Sequence, residues 1–460
     1  MQFSNSVQFN APLLQKYDRP LPRYTSYPPA SELDPRFNVQ EYSQLIAASN
    51  QRNFPLSLYF HIPFCQTACY FCGCNVIVSG NKNIAATYLD YLKREIEQTA
   101  QHINTRRPVV QLHWGGGTPN YLTHDQVEQL WQTIRQYFHF APNAEISVEV
   151  NPRYIDTDYI QMLRSVGFNR ISFGIQDFNP KVQQAVNRIQ PTEMLFDRMA
   201  AIRATQFESV NVDLIYGLPY QTLETFTDTI EKTIALNPDR IAVFNFAYVP
   251  QFKAVQKNIP IEALPSTADK MAMLQMTIET LGKGGYQYIG MDHFAKPTDE
   301  LAIAQVNGTL KRNFQGYTTL PEADLFAFGL TSISMLHDAY IQNQKHLSDY
   351  YRAIDAGEFP IERGIKLSAD DLIRRDVIME LMCEFRLTKT AIESKHGINY
   401  DRYFQSEQWD LKALEADGLL QLHPEGIQVT PAGRLLIRNI AAIFDTHLRR
   451  STFSSFSKAI

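Results

Sequence analysis

A regular alternation of β-type and helical segments dominates the first half of this chain. Each β-type segment ends in glycine, proline or a polar turn residue, and helical patterns such as YLDYLKREIEQTAQHI separate neighbouring segments. This alternation predicts a parallel α/β sheet, either open or curled into a barrel. The six segments are LSLYFHIPFC from Leu56, VVQLHWGGG from Val109, EISVEVNP from Glu145, RISFGIQDF from Arg170, VNVDLIYGLP from Val210 and RIAVFNFAYVP from Arg240.

The two faces of these segments differ in polarity, since side chains two residues apart in a strand share a face. A filled (β/α)8 barrel packs its lumen with Val, Ile and Leu. A mostly polar second face therefore predicts a lumen that holds ligands, and six units predict a partial (β/α)6 TIM-like barrel left open for a bulky one. The apolar face carries Leu58, Phe60, Ile62, Ile146, Val148, Val150, Phe244, Phe246 and Tyr248. The lumen face carries Tyr59, His61, Cys65, His113, Glu149, Asn151, Ser172, Gln176, Asn211, Asp213, Asn245 and Ala247.

The remaining segments predict an arm before the barrel and a second domain after it. The prolines of RPLPRYTSYPPA favour extended chain, and TPAGRLLIRNI predicts a helix with Thr430 as N-cap and Pro431 at its first position. The C-terminal pattern resembles a winged-helix module. We interpret it as a structural cap, because the segment is not notably basic. The predicted divisions are an N-terminal extended arm (1–50), the partial barrel (51–300), a connecting segment (301–365) and a mainly helical, winged-helix-like C-terminal domain (366–460).

The net charge and the hydropathy of the chain argue against nucleic acid and membranes as partners. The net charge of −5 gives no electrostatic reason to expect nucleic acid or an anionic membrane. The segment MQFSNSVQFN lacks the basic and apolar regions of a secretory signal, and no apolar run approaches the roughly 20 residues of a membrane span. We therefore expect a cytoplasmic protein that binds neither nucleic acid nor membrane.

Four of the five cysteines lie within ten residues, in the pattern C-x3-C-x2-C-x-C. In a reducing compartment such a cluster favours metal ligands over disulfides. A structural zinc site usually uses two separated ligand pairs, so an iron–sulfur cluster is the stronger interpretation. Three thiolates on a [4Fe–4S] cluster leave its fourth iron open to a reactive ligand. The four residues are Cys65, Cys69, Cys72 and Cys74; Cys383 stands apart.

Two further features suggest contacts to a cofactor. The triplet in GGGTP follows the second β-type segment, and glycine lets backbone N–H groups approach a carboxylate closely. Glu149, on the predicted lumen face, is suited to accept hydrogen bonds from a ribose. An internal ion pair is the alternative role for this carboxylate.

The pattern C-x3-C-x2-C with Phe71 before the third cysteine resembles the radical S-adenosylmethionine superfamily. Within it, the chain resembles the oxygen-independent coproporphyrinogen III oxidases (dehydrogenases) over almost its whole length. The resemblance implies a [4Fe–4S] cluster held by Cys65, Cys69 and Cys72, with Cys74 nearby but not a ligand. The motifs that carry it are PRYTSYP, LYFHIPFCQTACYFCGCN, QLHWGGGTPNYL, EISVEVNP, FGIQDFNPKVQQAVNR, VNVDLIYGLPYQT, NPDRIAVFNFAYVP, GMDHFAKP and RNFQGYTT.

This family resemblance also implies two S-adenosylmethionine molecules bound side by side. GGGTP is similar to the superfamily's GGE-type motif, although Thr118 stands where that motif has an acidic residue. Tyr59 and Glu149 are the expected catalytic residues. The first cofactor molecule would contact Tyr59, Gly116 and Glu149. The second would contact Phe71, Gly117, Thr118, Gln176, Arg188, Asp213, Ala247 and Ile333.

The implied reaction is oxidative decarboxylation of two propionates of coproporphyrinogen III to vinyl groups, which gives protoporphyrinogen IX in haem biosynthesis. A 5′-deoxyadenosyl radical would abstract hydrogen from the β-carbon of each propionate. The expected partners are the substrate and a low-potential one-electron donor such as flavodoxin, and the protein is expected to be a monomer. Arg19, Arg23 and Arg312 are candidate partners for the propionates.

Three alternatives remain open at this point. Haem chaperones of the same superfamily share the cluster and barrel but lack the YTSYP arm and the fourth cysteine, both of which occur here. A non-catalytic zinc protein acting through its winged module would bind zinc in place of iron. A methyltransferase of the superfamily would fit the cluster but not the full set of motifs.

Overall fold

A computed structural model of the protein describes residues 7–320 and 322–450. Residues 1–6, Pro321 and residues 451–460 belong to the predicted arm, connecting segment and C-terminal domain, and they lie outside the described residues. In the described part the helices are α1 (Ala11–Tyr17), α2 (Val39–Arg52), α3 (Asn83–Ala100), α4 (His124–Tyr137), α5 (Thr157–Val166), α6 (Pro180–Ala185), α7 (Thr192–Ala204), α8 (Leu223–Leu236), α9 (Thr267–Lys283), α10 (Glu300–Asn307), α11 (Leu347–Asp355), α12 (Ala369–Glu384), α13 (Lys389–His396), α14 (Tyr400–Tyr403), α15 (Gln408–Ala416), α16 (Ile437–Ala441) and α17 (Thr446–Arg450).

The strands include all six predicted β-type segments, which form β1 and β4 to β8. In chain order the strands of the described residues are β1 (Leu56–Ile62), β2 (Phe64–Cys65), β3 (Ile77–Val78), β4 (Val109–Gly116), β5 (Phe140–Val150), β6 (Arg170–Gln176), β7 (Ser209–Tyr216), β8 (Arg240–Asn245), β9 (Gln287–Gly290), β10 (His293–Ala295), β11 (Lys311–Asn313), β12 (Gly316–Thr318), β13 (Asp324–Phe328), β14 (Ile333–Leu336), β15 (Ala339–Asn343), β16 (Ile361–Lys366), β17 (Arg386–Thr388), β18 (Leu420–His423) and β19 (Gly426–Val429).

The covering helices form where the sequence places an N-cap before an apolar stripe, and α4 is representative. The Thr123 side chain accepts a hydrogen bond from the Gln126 backbone, and the Gln126 side chain accepts one from the Thr123 backbone. Residues at helical spacing then face the sheet and are buried. They are Val127, Leu130, Trp131 and Ile134.

Twelve strands of the described residues form one sheet in the order β16-β15-β14-β13-β1-β4-β5-β6-β7-β8-β10-β9. The run from β13 through β1 to β8 is parallel, whereas the strands beyond either end are antiparallel. The helices follow these parallel strands as crossover connections. The prediction of a partial barrel of α/β type is thereby confirmed.

Residues 301–365, which we assigned to a connecting segment, contribute strands to this sheet. β13 pairs in parallel with β1, and β14 to β16 extend the same edge. This pairing satisfies the backbone groups of β1, which would otherwise form an open edge. The sequence pattern did not reveal it, because pairing between β13 and β1 joins residues more than 260 positions apart, as in Leu56 with Asp324.

The N-terminal arm is extended only between its helices. RPLPRYTSYPPA runs without a regular helix or strand, as its prolines predict, but α1 and α2 flank it. Tyr24 and Tyr27 of the arm are buried. Tyr340 donates a hydrogen bond of 3.0 Å to the Tyr27 carbonyl, and Arg438 donates one of 3.0 Å to the Pro22 carbonyl. The arm therefore joins the barrel to the C-terminal helices.

The C-terminal region is mainly helical, with a small sheet in the order β17-β19-β18. Thr430 accepts a hydrogen bond from the Gly433 backbone, but the first helical turn is a 3-10 turn that begins at Gly433, and α16 follows it. The predicted helix therefore starts slightly later than Pro431. Within the described residues, every helix is too short or too polar to cross a membrane.

Candidate active site

A cavity of about 750 Å³ occupies the lumen of the partial barrel. Its upper end lies at the carboxyl ends of the parallel strands, beside the cysteine loop, and its lower end lies near the starts of β6 and β8. All four clustered cysteines line it. In parallel α/β folds ligands bind at the carboxyl ends of the strands, so this upper end is the expected place for a reactive site.

Cys65 ends β2, the other three clustered cysteines lie in the loop between β2 and β3, and two arginine side chains lie beside Cys69. Cys65 Sγ lies 3.2 Å from Thr118 Oγ1. Cys69 Sγ lies 3.5 Å from both Arg188 Nη1 and Arg153 Nη2. Cysteine binds metal as the thiolate, so these two guanidinium groups lie where they can balance the negative charge of a metal-bound sulfur.

The three predicted ligands all line the same cavity. This common exposure is the observation that fits them to an iron–sulfur cluster. Hydrogen bonds from Cys74 lower the pKa of Cys72 to about 6, whereas burial raises the pKa of Cys65 to about 11. Within the described residues, no three His, Cys, Asp or Glu side chains are grouped to hold a single metal ion. In an iron–sulfur cluster the thiolates bind separate irons, so Cys65, Cys69 and Cys72 need only face a common space.

The glycine loop that follows β4 packs tightly against the end of β1. Gly116 has φ +112°, and a Cβ there would lie 2.5 Å from the His61 ring. A Cβ on Gly117 would lie 2.7 Å from the backbone of Pro63. Both glycines line the cavity, so their backbone can approach a bound molecule closely.

Tyr59, His113 and Glu149 form a connected group on neighbouring strands. The Tyr59 and His113 rings stack with centroids 5.8 Å apart. His113 Nε2 lies 3.2 Å from Glu149 Oε1, and its Nδ1 lies 2.6 Å from Ser147 Oγ. Burial alone would raise the pKa of Glu149, but the His113 hydrogen bond and charge and the Gly116 N–H hold it below its usual value. Tyr59 has a raised pKa because it is buried, so its phenol stays protonated.

Gln176, Arg188 and Asp213 lie on the far side of the cavity from β1. Gln176 adopts φ +72°, and Arg188 Nη2 donates a 2.7 Å hydrogen bond to the Gly174 carbonyl. Burial and the charge of Glu149 raise the pKa of Asp213 to about 6, against hydrogen bonds from Asn211 and Ser172. These groups present both a guanidinium and a carboxylate to the lumen.

Most of the predicted cofactor contacts share this cavity, and three do not line it. Tyr59 does not line the cavity, but its ring stacks on His113, which does. Ala247 lies beyond the end of β8, where Gln256 Nε2 bonds both its carbonyl and that of Phe71. Ile333 begins β14, in the same sheet as Tyr59 but away from the cavity. The predicted contacts that line the cavity are Phe71, Gly116, Gly117, Thr118, Glu149, Gln176, Arg188 and Asp213.

The face that we assigned to β8 is wrong. Ala242 is the register partner of Asp213, and Phe244, two residues on, lines the cavity. Asn245 therefore points the other way, and its Oδ1 is buried without a hydrogen bond. Helices cover the outside of a parallel sheet, so aromatic residues suit either face and alternation alone could not choose between them.

Sequence reasoning also missed residues beside the cysteines. Arg153 follows β5 in the motif EVNPRY, and Gln256, only 1% exposed, bonds the backbone of Phe71. The position of Arg153 just after a strand was a usable signal, whereas nothing local marks Gln256. Of the arginines proposed for propionates, Arg19 is exposed, and Arg23 forms an ion pair with Asp292.

A barrel of this kind, with its cysteine and glycine loops at one mouth, is the architecture of radical S-adenosylmethionine enzymes. The model of the Radical SAM superfamily matches residues 59–233, and the model of the HemN C-terminal domain matches residues 367–436. The chain belongs to the oxygen-independent coproporphyrinogen III oxidase family, as the motifs led us to expect.

The relatives that show this family match the chain from end to end. The oxygen-independent coproporphyrinogen III oxidase of Synechocystis sp. is 58% identical over 99% of both chains, and that of Escherichia coli is 49% identical over 99% of both. The solved structure of the coproporphyrinogen III oxidase from Escherichia coli, described as a radical SAM enzyme, superimposes with a TM-score of 0.92 at 48% identity. That match covers 96% of this chain and all of the other.

Proposed function

We propose that this protein converts two propionates of coproporphyrinogen III to vinyl groups by oxidative decarboxylation, giving protoporphyrinogen IX. The observation that carries the proposal is the common cavity of Cys65, Cys69 and Cys72 with the glycine loop and Glu149, in a chain that matches this family end to end. Each propionate loses one hydrogen atom from its β-carbon, one electron and carbon dioxide. The electron passes to a one-electron acceptor.

The three thiolates hold the [4Fe–4S] cluster, and the Gly116–Gly117 backbone with Glu149 holds S-adenosylmethionine. When both are bound and the cluster is reduced, they supply the radical that removes the hydrogen atom. Arg153 and Arg188 place positive charge beside Cys69, where it can balance the negative charge of a cluster-bound thiolate. The rest of the protein positions the cofactor and the substrate and shields them from water.

The Glu149 carboxylate is suited to accept hydrogen bonds from the ribose of S-adenosylmethionine. His113 and the Gly116 N–H hold the pKa of this carboxyl group below its usual value, so it is ionised at neutral pH. An ionised carboxylate only accepts hydrogen bonds, as two ribose hydroxyls require. Its side chain is 47% exposed within the lumen, so both oxygens are within reach of a bound molecule. The surrounding barrel limits the access of water, which protects a radical from side reactions.

We propose further that two S-adenosylmethionine molecules bind, the second one near Gln176, Arg188 and Asp213. The support is that these groups form a second polar set across the lumen from Glu149. Arg188 is matched to a carboxylate, and Asp213 to hydroxyl or amino groups. We also propose a monomeric cytoplasmic enzyme that receives electrons from a low-potential donor such as flavodoxin.

An anaerobic turnover assay tests the proposal. The protein is reconstituted with iron and sulfide, then mixed with a low-potential reductant, S-adenosylmethionine and coproporphyrinogen III. Chromatography should detect 5′-deoxyadenosine together with protoporphyrin after oxidation of the product. Cys69→Ala should abolish both products and the visible absorption of the cluster.

Cys383→Ala is the matched control, because Cys383 is a buried cysteine in a separate part of the core. It should keep the cluster and both products. Deoxyadenosine without protoporphyrin would contradict the substrate but keep the radical chemistry. An intact cluster with neither product would favour a haem chaperone.

A further inference from the structure

A second cavity, of about 490 Å³, lies beneath the barrel, between the sheet and α12. Gln111 and Asn313 line both cavities, so only a thin wall separates them. The hairpin of β11 and β12 belongs to this wall. It is tied to the sheet by the bonds from Gln111 Nε2 to Thr318 Oγ1 (3.4 Å) and from Thr319 Oγ1 to Glu145 Oε1 (3.2 Å).

Arg312 of this hairpin lines the second cavity and is only 6% exposed. Its Nε donates a 3.3 Å hydrogen bond to the Tyr24 carbonyl, and its guanidinium lies over the Tyr317 ring at 4.6 Å from the centroid. Its Nη1 is buried without a hydrogen-bond partner. Tyr317, its partner across the hairpin, lines the first cavity. Arg312 therefore stands where the two cavities adjoin.

Within the part of the chain that the structure describes, no carboxylate oxygen lies within 4.0 Å of a nitrogen of this guanidinium. Two other buried arginines do have such partners: Arg107 lies 2.9 Å from Asp324, and Arg374 lies 3.0 Å from Glu407. An arginine is charged at any physiological pH, and a buried charge without a counter-ion is costly. Because Arg312 also lines a cavity, a ligand that enters there could supply the missing anion.

We propose that Arg312 binds the carboxylate of a propionate of coproporphyrinogen III that is not reacting, and so anchors the tetrapyrrole from the floor of the barrel. This inference rests on the proposed function. The cysteine loop lies at the opposite ends of the strands. Seven residues of β1 span about 20 Å, so the anchored propionate and the reacting one are different groups. The planar guanidinium matches a carboxylate with two parallel hydrogen bonds.

The test compares two porphyrins with the same macrocycle, one with four free carboxylates and one with four methyl esters. Coproporphyrin III, the stable oxidised form of the substrate, carries free propionates, and its tetramethyl ester carries none. Binding of each to the cluster-loaded protein is followed by porphyrin fluorescence in one detergent-containing buffer. Arg312→Met should weaken binding of the free acid at least tenfold and leave binding of the ester unchanged. Arg312→Lys should recover part of the loss.

Arg434→Met is the matched control. Arg434 is 5% exposed, lies over the Phe385 ring and also has guanidinium nitrogens without hydrogen-bond partners, but it lines neither cavity. It should leave the ratio of acid to ester affinity unchanged. The melting temperature without ligand separates binding from folding, because removing an unneutralised charge in Arg312→Met should leave it unchanged or raise it.

The outcomes distinguish this inference from the proposed function. If wild-type protein binds neither porphyrin, the proposed substrate is wrong and the anchor fails with it. If wild-type protein prefers the free acid and Arg312→Met keeps that preference, only the anchor is wrong. A lowered melting temperature with an unchanged preference would make Arg312 a structural residue.

Discussion

His113 Nε2 lies 3.2 Å from Glu149 Oε1, and this contact helps to hold the pKa of a cavity-lining carboxylate below its usual value. The imidazole is fixed on its other side by Ser147 and stacked on Tyr59. A side chain held in three directions is rigid, so it presents Glu149 to a bound molecule in one orientation.

Replacing His113 should make cofactor binding sensitive to acid. Without the imidazole, burial raises the pKa of Glu149, so His113→Ala should lose S-adenosylmethionine affinity as the pH falls through that higher pKa. Each unit by which the pKa rises costs about tenfold in affinity at lower pH. Anaerobic calorimetric titrations between pH 5.5 and 8 would measure this. His124→Ala, on a helix outside the barrel, should match the wild type. Equal pH profiles for His113→Ala and wild type would contradict the prediction.

Adding one methyl group to the glycine loop should be far more harmful than adding one to the cysteine loop. Gly116→Ala places a Cβ 2.5 Å from the His61 ring at φ +112°, a strain of about 1–3 kcal/mol. We expect a lower melting temperature and loss of S-adenosylmethionine binding. Gly73→Ala, which meets no atom within 4 Å, should retain both. The prediction fails if the two variants bind the cofactor alike.

Glu95 should make the stability of the protein fall as the pH rises. Burial raises its pKa to about 7 from 4.5, although Tyr350, Gly329 and Asn343 donate hydrogen bonds to it. The folded state therefore holds a proton that the unfolded state has released. This stabilisation is complete below pH 4.5 and is lost through pH 7, a change of about 3 kcal/mol.

Urea unfolding at pH 5 and pH 8 measures this contribution. Glu95→Gln should flatten the decline in the free energy of unfolding, because the amide does not titrate. Glu97→Gln, at an exposed position of the same helix, should keep the wild-type decline. Identical declines in wild type and Glu95→Gln would refute the assignment.

The ion pair of Arg107 and Asp324 should hold β13 against the barrel. Both side chains are 1% exposed, and Ser49 also donates a hydrogen bond to Asp324. Asp324→Asn leaves a buried guanidinium without its counter-ion and should cost about 3–5 kcal/mol in urea unfolding. Asp34→Asn removes the partner of Arg36, an exposed pair, and should leave the unfolding midpoint close to wild type. A small effect of Asp324→Asn would show that β13 is held mainly by its backbone pairing.

The local pattern of the chain was enough to predict the class of fold and the upper end of the site. Alternating β-type and helical segments gave the parallel sheet, and alternation within β1, β5 and β7 placed Tyr59, Glu149 and Asp213 on the lumen face. The cysteine spacing and the glycine triplet marked the mouth of the cavity. These features are readable because strand and helix periods, and the spacing of ligands in one loop, are properties of neighbouring residues.

Long-range pairing decided what remained. The attachment of β13 to β1, the face of β8, and the approach of Arg153 and Arg188 to Cys69 depend on which distant segments meet. The absence of a carboxylate beside Arg312 also depends on which distant segments pack around it. A sequence shows that an arginine is present, but only the tertiary structure determines whether a carboxylate reaches it, since the energy of a buried charge depends on every group packed around it.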